Sequence, residues 1–229
     1  MIHLPRKAHI RPTEIADPLK FYYFPIIRCL FIKRLELAVS ELRPRRYEAL
    51  LDIGCGSGVF LKELAFHCHR LFALDMHGKM DRVKDMTQKE HIAVHLVEGS
   101  ALHLPFAPES FDGVVMVSVL EHLHQPLQAL KEIRRITKIG GRIVLGFPIK
   151  NPITDFLLKV SYHLLPSAKL EEEHVSSHAD IIKAADSFFG PRTLKTFPSF
   201  LPLDYGGYCI YSLTKTTERR PLIQSRNGF

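Results

Sequence analysis

The chain alternates between short, almost wholly apolar runs and longer stretches in which apolar residues recur at helical spacing. A strand covered on both faces is apolar nearly throughout, so the short runs predict buried strands. These runs are residues 48–53, 71–75, 92–97, 111–118 and 142–147. Helical spacing predicts helices at 59–65, 79–90 and 126–138, the last of them ended by Gly140 and Gly141. This alternation predicts an α/β fold with helices on both faces of a parallel sheet.

The segments on either side of this alternation have a different character. Residues 1–17 lack periodicity and predict an extended arm, whereas residues 18–42 predict an amphipathic cap helix. The apolar face of that helix is predicted to hold Ile27, Leu30, Phe31, Leu35, Ala38 and Leu42, with Lys33, Arg34 and Glu41 elsewhere. Beyond Pro148 the pattern predicts two helices, at 153–164 and 177–188, and then two strands, at 193–197 and 208–214.

A chain of 229 residues can bury one sizeable core, so we predict a single domain with decorations. Its parts are an arm and cap helix at 1–46, a core at 47–147, a helical insertion at 148–188, terminal strands at 189–215 and a tail at 216–229. The tail is polar and basic, and we expect it to fray.

The strongest chemical signal lies where the first strand meets the first helix. Asp52 near the end of the strand is followed by Gly54-Cys55-Gly56-Ser57-Gly58. Glycine accepts positive φ and lets a ligand lie against the backbone, while the following helix offers unpaired N–H groups. Asp75 ends the next strand, 23 residues after Asp52, which puts its carboxylate beside the glycine turn. An acid there accepts hydrogen bonds from both hydroxyls of a ribose, so the pattern predicts a nucleotide-type site.

Composition and charge limit the possible partners and location of the protein, and they leave the predicted fold unchanged. The net charge of +7 can attract nucleic acid, anionic lipid or an acidic substrate, but basic residues are not interleaved with aromatic ones, which favours a solvated surface. The four cysteines are scattered and no apolar leader precedes them, so we expect a cytoplasmic protein. No apolar run approaches the ~20 residues of a membrane span.

In their order and spacing these motifs resemble class I S-adenosylmethionine-dependent methyltransferases, and most of all the group that includes the quinone-biosynthesis C-methyltransferases. The residues that carry the resemblance are Leu50 to Gly58, Asp75, Leu104-Pro105-Phe106, Phe111-Asp112, Glu121-His122 and Gly140-Gly141-Arg142. It extends over about 47–147 and implies a Rossmann-like, seven-stranded sheet that is mostly parallel. The last strand, at 208–214, is implied to run antiparallel.

The resemblance also implies roles for single residues in binding S-adenosylmethionine, whose product is S-adenosylhomocysteine. Asp52 and the turn of Gly54, Cys55, Gly56 and Gly58 would hold the methionine end, Asp75 the ribose hydroxyls, Met76, Ser100 and Ala101 the adenine, and Ser118 would border the sulfonium. Ser100 stands where family members usually carry Asp, so its hydrogen bond to the adenine amine would be neutral and weaker.

NAD is the rival cofactor, because a glycine turn followed by an acid also marks NAD-dependent dehydrogenases. Those enzymes use G-x-G-x-x-G, whereas here Gly54-x-Gly56-x-Gly58 is followed by Val59, so the third glycine is in the wrong place. A dinucleotide would also leave the Phe111-Asp112 and Glu121-His122 pairs without a role.

In-line methyl transfer needs a general base only if the acceptor must lose a proton. Histidine titrates near neutral pH, and we name His122 and His174 as candidates, with His124 and His178 beside them. His174 and His178 have the spacing of metal ligands on a helix, but without a third and fourth ligand we predict no metal site.

The acceptor must be inferred from the cap helix and the insertion, which is expected to lie over the acceptor site. Both are rich in apolar and aromatic residues, including Tyr22, Tyr23, Phe24, Phe156 and Tyr162, which predicts a small or lipid-like acceptor and allows peripheral membrane contact. Two alternatives stay open. The first alternative to this prediction is a methyltransferase-fold protein without activity that serves as a binding or regulatory partner. The second is an RNA methyltransferase, which the positive charge supports.

Overall fold

A computed structural model describes residues 2–13, 17–25, 28–152 and 175–217. Seven strands in these ranges form one sheet: β1 (Tyr47–Ile53), β2 (Cys68–Asp75), β3 (His95–Glu98), β4 (Phe111–Val117), β5 (Thr137–Pro148), β6 (Arg192–Phe197) and β7 (Tyr208–Thr214). Their order across the sheet is β3-β2-β1-β4-β5-β7-β6. From β3 to β5 all neighbours pair in parallel, and β7 is antiparallel to both β5 and β6. The predicted mostly parallel sheet with an antiparallel last strand is confirmed.

Helices cover both faces of this sheet, as predicted. The described helices are α1 (Leu19–Tyr22), α2 (Arg28–Leu42), α3 (Leu61–Ala65), α4 (Met80–Lys89), α5 (Pro126–Ile136) and α6 (His178–Phe188). Successive side chains of a strand point to opposite faces, and β1 divides its apolar residues in this way. Leu51 and Ile53 belong to the core layer that α5 and α6 complete, whereas Leu50 belongs to the layer under α2, α3 and α4.

The end of α5 differs from the prediction. The helix stops at Ile136, and β5 begins at once with Thr137, which is already extended and whose hydroxyl donates to the carbonyl of Ile133 at 2.6 Å. Gly140 and Gly141 therefore lie within β5 and do not end the helix. Gly140 has φ +75° and its N–H bonds to the Lys215 carbonyl at 2.8 Å, so the pair serves a bend beside the last strand.

The described part of the amino-terminal arm, residues 2–13, has neither helix nor strand, and it is docked on the domain by two buried carboxylates. Glu63 accepts from the backbone N–H of His3 at 2.9 Å and contacts its ring at 2.7 Å. Glu90 accepts from the N–H of Arg6 at 2.8 Å and contacts the His9 ring at 2.5 Å. The arm is therefore held in one place although it lacks regular structure.

The cap helix α2 confirms only part of its predicted apolar face. Leu35, Ala38 and Leu42 are buried, but Leu30 is 54% exposed, so its predicted inward position is wrong, and Ile27 lies outside the described residues. Leu30 lies in the first turn of α2, whereas the buried residues of this helix begin at Leu35. The predicted helix at 153–164 and the tail beyond Thr217 also lie outside the described residues.

Glu41 on α2 was expected on the polar side of the helix, yet it is 8% exposed and anchors the helix to the sheet. Its carboxylate bonds to Arg142 of β5 and to the hydroxyl of Ser212 of β7, and it pairs with Lys195 of β6 at 2.6 Å. Burial alone would raise the pKa of Glu41, but the bonds from Lys195 and Ser212 outweigh it and lower the pKa. Three strands thus meet at one side chain of the cap helix.

None of the helices in the described ranges is long and apolar enough to cross a membrane.

Replacement of Glu41 by glutamine is expected to lower the free energy of unfolding by roughly 2–3 kcal/mol, because two cations would then face a neutral amide. Urea unfolding at neutral pH measures this change. Glu36→Gln on the same helix is the matched control, since its pair with Lys33 at 3.3 Å is solvent-exposed and contributes less than about 1 kcal/mol. Equal destabilisation of the two variants would contradict the anchoring role of Glu41.

Candidate functional site

The three glycines of the turn after β1 serve different purposes, although all have positive φ (77°, 52° and 82°). A Cβ added to Gly54 would lie 2.2 Å from the Val119 side chain, and one added to Gly58 would lie 2.6 Å from Met86. These two glycines allow close packing. A Cβ on Gly56 would meet nothing within 4 Å, so this part of the turn faces open space at the carboxyl edge of the sheet. Gly56 is the glycine against which a ligand can lie.

Hydrogen bonds to the end of β2 fix the turn. The N–H groups of Gly54 and Cys55 both donate to the carbonyl of Leu74, at 2.7 and 3.2 Å. The Gly56 N–H donates to one carboxylate oxygen of Asp75 at 2.7 Å, and the Met76 N–H donates to the other at 2.7 Å. A carboxylate has more lone pairs than these two bonds use, so Asp75 can accept further bonds from ligand hydroxyls.

Asp52 is the second acid of the site, and its environment is unfavourable to charge. Its side chain is buried at 3% exposure. Burial raises its pKa to about 7, and the neighbouring charge of Asp75 adds to the rise. Within the described residues no hydrogen bond opposes this rise. A ligand that donates hydrogen bonds or carries positive charge suits the two carboxylates, whereas the pyrophosphate of a dinucleotide would be repelled.

The residues predicted to surround an adenine lie on the ends of the two strands next to the turn. Met76 follows Asp75 at the end of β2 and is 70% exposed. Ser100 and Ala101 come two and three residues after Glu98, the last residue of β3, and the N–H of Gly99 bonds to the Asp75 carbonyl at 2.9 Å. The Ser100 hydroxyl accepts from the Leu102 N–H at 3.2 Å. The structure thus brings these residues to one edge, and their contacts with a ligand stay predictions.

Ser118 lies on the other side of the turn, directly after β4. It has φ +57°, an uncommon conformation for a residue with a side chain, which clusters at functional sites. Its N–H bonds to the Gly146 carbonyl at 2.8 Å and its hydroxyl to that of Tyr208 at 2.9 Å. This carboxyl edge of β4 is where Ser118 was predicted to border the reacting group.

The predicted catalytic histidines receive less support from their positions. His122 ends the 3₁₀ turn Leu120–His122 and is exposed. His174 lies outside the described residues. His178 begins α6, and its Nε2 lies 3.3 Å from an Asp204 carboxylate oxygen. A general-base role for His122 or His174 therefore stays a prediction.

Two side chains that carry no motif complete the edge beside Ser118. Arg34 of α2 donates to the hydroxyl of Tyr22 from two nitrogens, at 2.8 and 3.1 Å, and its third nitrogen lies 3.4 Å from the Ser118 hydroxyl. Tyr208 at the start of β7 joins them through Ser118. The apolar stripe of α2 gave no reason to place Arg34 inward, although its spacing to Ala38 and Glu41 is that of one helix face.

The part of the chain that forms this edge is similar to known proteins. Residues 51–145 match a family model described as a methyltransferase domain. A demethylmenaquinone methyltransferase of Thermobifida fusca is 36% identical over 100 residues, which are 43% of this chain and 42% of that protein. A protein of the same name from Lactococcus lactis is 27% identical over 239 residues, covering 95% of this chain and 94% of the relative. The PH0226 protein of Pyrococcus horikoshii shares the fold, with TM-score 0.65 and 17% identity over 86% of this chain and 99% of that one.

These matches cover different shares of the chain and of its relatives. The chain spans only about two fifths of the length of the first curated relatives it matches, at 42, 41 and 42%. The family model begins within β1 and ends within β5, so it contains Asp52, the glycine turn, Asp75 and Ser118. It leaves out α2 and β7, which carry Arg34 and Tyr208.

The raised pKa of Asp52 predicts how stability depends on pH. The folded chain binds a proton at Asp52 up to about pH 7, whereas the unfolded chain releases it near pH 4. Stability therefore falls as the pH rises through that window. The neutral Asp52→Asn variant lacks this term, so between pH 5 and pH 8 it should gain stability relative to the wild type, by about 3 kcal/mol at most.

Thermal unfolding of both proteins at the two pH values tests this prediction. Asp85→Asn is the matched control, because Asp85 is a surface residue of α4 paired with Lys89 at 2.7 Å. Its pKa is lowered by that bond, so it is ionised throughout the window and its loss leaves the slope unchanged. An unaltered slope in Asp52→Asn would show that Asp52 is already ionised at low pH.

Proposed function

Since the chain belongs to the class I S-adenosylmethionine-dependent methyltransferases, we propose that it transfers a methyl group from S-adenosylmethionine to a small or lipid-like acceptor. One observation carries the proposal. The open face of Gly56 lies next to two carboxylates, Asp52 and Asp75, at the carboxyl ends of adjacent parallel strands. That edge is where open α/β sheets bind their ligands.

The donors and acceptors at this edge fit the cofactor. Asp75 offers lone pairs to the two ribose hydroxyls while it still holds the turn through Gly56. Asp52 offers a buried carboxylate to the ammonium group at the methionine end, and a positive charge there would bring its pKa back down. Met76 provides an exposed apolar side chain for the adenine. When bound, the cofactor supplies a methyl group activated by its attachment to a sulfonium.

The chain contributes position and the exclusion of water. Alignment of two reacting molecules can lower a barrier by up to ~7–11 kcal/mol, and it requires rigid walls on both sides of the reacting atoms. Ser118 and Val119 form one wall beside Gly54, and Tyr22 and Arg34 extend it from the cap. Asp52 lies near the end of β1, within electrostatic reach of Tyr22. No proton transfer by a side chain is required for an acceptor that binds already ionised.

For the acceptor we propose a flat, partly apolar molecule of the quinone type. The relatives in Thermobifida and Lactococcus are named demethylmenaquinone methyltransferases, which supports this class. The cap contributes an aromatic cluster in which the Phe31 ring lies 5.0 Å from Phe21 and 5.4 Å from Tyr22. Phe24 and Leu30 of the same region are 37% and 54% exposed, which suits an acceptor with a lipid tail.

We place the reaction in the cytoplasm, with peripheral contact to a membrane.

Calorimetry with S-adenosylmethionine and S-adenosylhomocysteine tests the proposal. The wild type should bind both, and Asp75→Asn should bind them about 10–100-fold more weakly, because an amide accepts more weakly than a carboxylate. The exposed Asp85→Asn variant is the control and should bind like the wild type. Release of labelled product from methyl-labelled cofactor in the presence of a reduced short-chain quinone then tests transfer.

The outcomes separate the proposal from its alternatives. Absence of binding by the wild type at millimolar cofactor would overturn it and would favour a binding or regulatory partner. Equal binding by Asp75→Asn and the wild type would remove the two-carboxylate edge as the cofactor site. Cofactor binding together with methyl transfer to RNA alone would replace the acceptor class.

A further inference from the structure

A polar cluster from four separate elements lies at the edge of the cofactor site. Arg34 comes from α2, Tyr22 from the end of α1, Ser118 from the residue after β4, and Tyr208 from the start of β7. Arg34 donates to the Tyr22 hydroxyl at 2.8 and 3.1 Å, and Ser118 and Tyr208 share a hydrogen bond of 2.9 Å. The contact from Arg34 to Ser118, at 3.4 Å, joins the two pairs.

Aromatic rings surround the guanidinium of Arg34. Its central carbon lies 4.2 Å from the centre of the Phe31 ring, 5.2 Å from that of Tyr22 and 6.0 Å from that of Tyr208. A planar cation held against rings loses little entropy when it binds a flat partner, because its orientation is already fixed. The cluster therefore presents an oriented positive charge between aromatic walls.

The cluster lies beside the glycine turn. Ser118 is followed by Val119, whose side chain fills the space that a Cβ on Gly54 would need. The charge of Asp52 contributes to the pKa of Tyr22, so the two side chains are within electrostatic reach of each other. The Tyr208 hydroxyl lies 2.8 Å from where a Cβ of Gly146 would be, so Gly146 leaves it the room to reach Ser118.

We propose that Arg34, oriented by Tyr22 and Ser118, binds the oxygen anion of a phenol or enol acceptor and thereby favours its ionised form at the site of methyl transfer. This inference rests on the proposed function. It makes Arg34 the residue that selects ionisable aromatic acceptors, in a segment that lies outside the matched methyltransferase domain. A structural clamp that only ties α2 to β4 is the competing role.

Two features of the cluster suit an oxygen anion. The Arg34–Ser118 distance of 3.4 Å is near the limit for a hydrogen bond, so a charged oxygen can replace the Ser118 hydroxyl there while Ser118 keeps its bond to Tyr208. Burial raises the pKa of Tyr208, and burial also raises that of Tyr22 despite the opposing charge of Arg34. Both phenols are thus neutral at ordinary pH and can act as hydrogen-bond donors.

The reaction balances without a general base. The acceptor releases its hydroxyl proton to water as it binds, and Arg34 compensates the negative charge. The new bond forms from that oxygen, or from the carbon conjugated with it, to the methyl carbon. The bond between the methyl carbon and sulfur breaks, its electron pair stays on sulfur, and the positive charge on sulfur is neutralised. If carbon is methylated, its own proton leaves to water afterwards. His122 and His174 take no part in this reaction.

A nitrophenol probe tests the proposal, since the phenolate of para-nitrophenol absorbs visible light and the neutral phenol does not. Titration of the probe with the full chain, with and without S-adenosylhomocysteine, should show its pKa lowered by about one unit or more when bound. Arg34→Gln should abolish this shift, and Arg34→Lys, which keeps the charge but not the planar fork, should retain part of it. Arg28→Gln on the same helix is the matched control and should behave as the wild type.

Thermal unfolding and calorimetry with S-adenosylhomocysteine accompany the titration for every variant. The proposal holds if Arg34→Gln loses the shift while cofactor affinity and melting temperature stay those of the wild type. It is overturned if the wild type leaves the pKa of the probe unchanged, or if the shift survives in Arg34→Gln. A loss of melting temperature in both Arg34 variants, with no shift in Arg34→Lys, would identify a structural clamp. Failure to bind S-adenosylhomocysteine would count against the methyltransferase proposal alone.

Discussion

The hydrogen bond from the Gly56 N–H to the Asp75 carboxylate is the interaction on which the candidate site depends. It fixes the turn after β1 against the end of β2, and the bonds from Gly54 and Cys55 to the Leu74 carbonyl complete the attachment. Burial raises the pKa of Asp52, and the charge of Asp75, which this contact holds nearby, adds to the rise. Two neighbouring carboxylates repel each other, and a ligand with hydroxyl groups or a positive charge relieves this repulsion. The bond that fixes the turn therefore also favours a ligand of that kind.

Much of this edge follows from the sequence because its signals are local or fixed by geometry. The run 111–118 is apolar almost throughout because β4 lies between β1 and β5 with helices on both faces. The Asp52–Asp75 spacing follows from the length of a strand–helix–strand unit. Gly140 and Gly141 misled the prediction because paired glycines mark helix ends and bends alike, and here the extended Thr137 had already ended the helix.

Glu41 and Arg34 escaped prediction for a different reason. A pattern of apolar and polar residues predicts that every charged side chain faces solvent. Both residues are charged, so the pattern of α2 predicted that they were exposed. Their partners lie far away in sequence: Arg142 is 101 residues from Glu41, Ser212 is 171 residues from it, and Ser118 is 84 residues from Arg34. No sequence window contains these pairs, so only the folded sheet shows which charges face inward.

The attachment of α2 to the sheet also constrains how an acceptor of the proposed reaction would reach the site. Arg34 and Glu41 are seven residues apart, so they lie on the same helix face and about 10 Å from each other along its axis. Glu41 is tied to three strands, and Leu35, Ala38 and Leu42 are at most 1% exposed. Segments that open readily have few buried contacts, and α2 has many. The helix is therefore a fixed wall that sets the position of Arg34 beside Ser118, and an acceptor of the proposed reaction would have to enter alongside it rather than by displacing it.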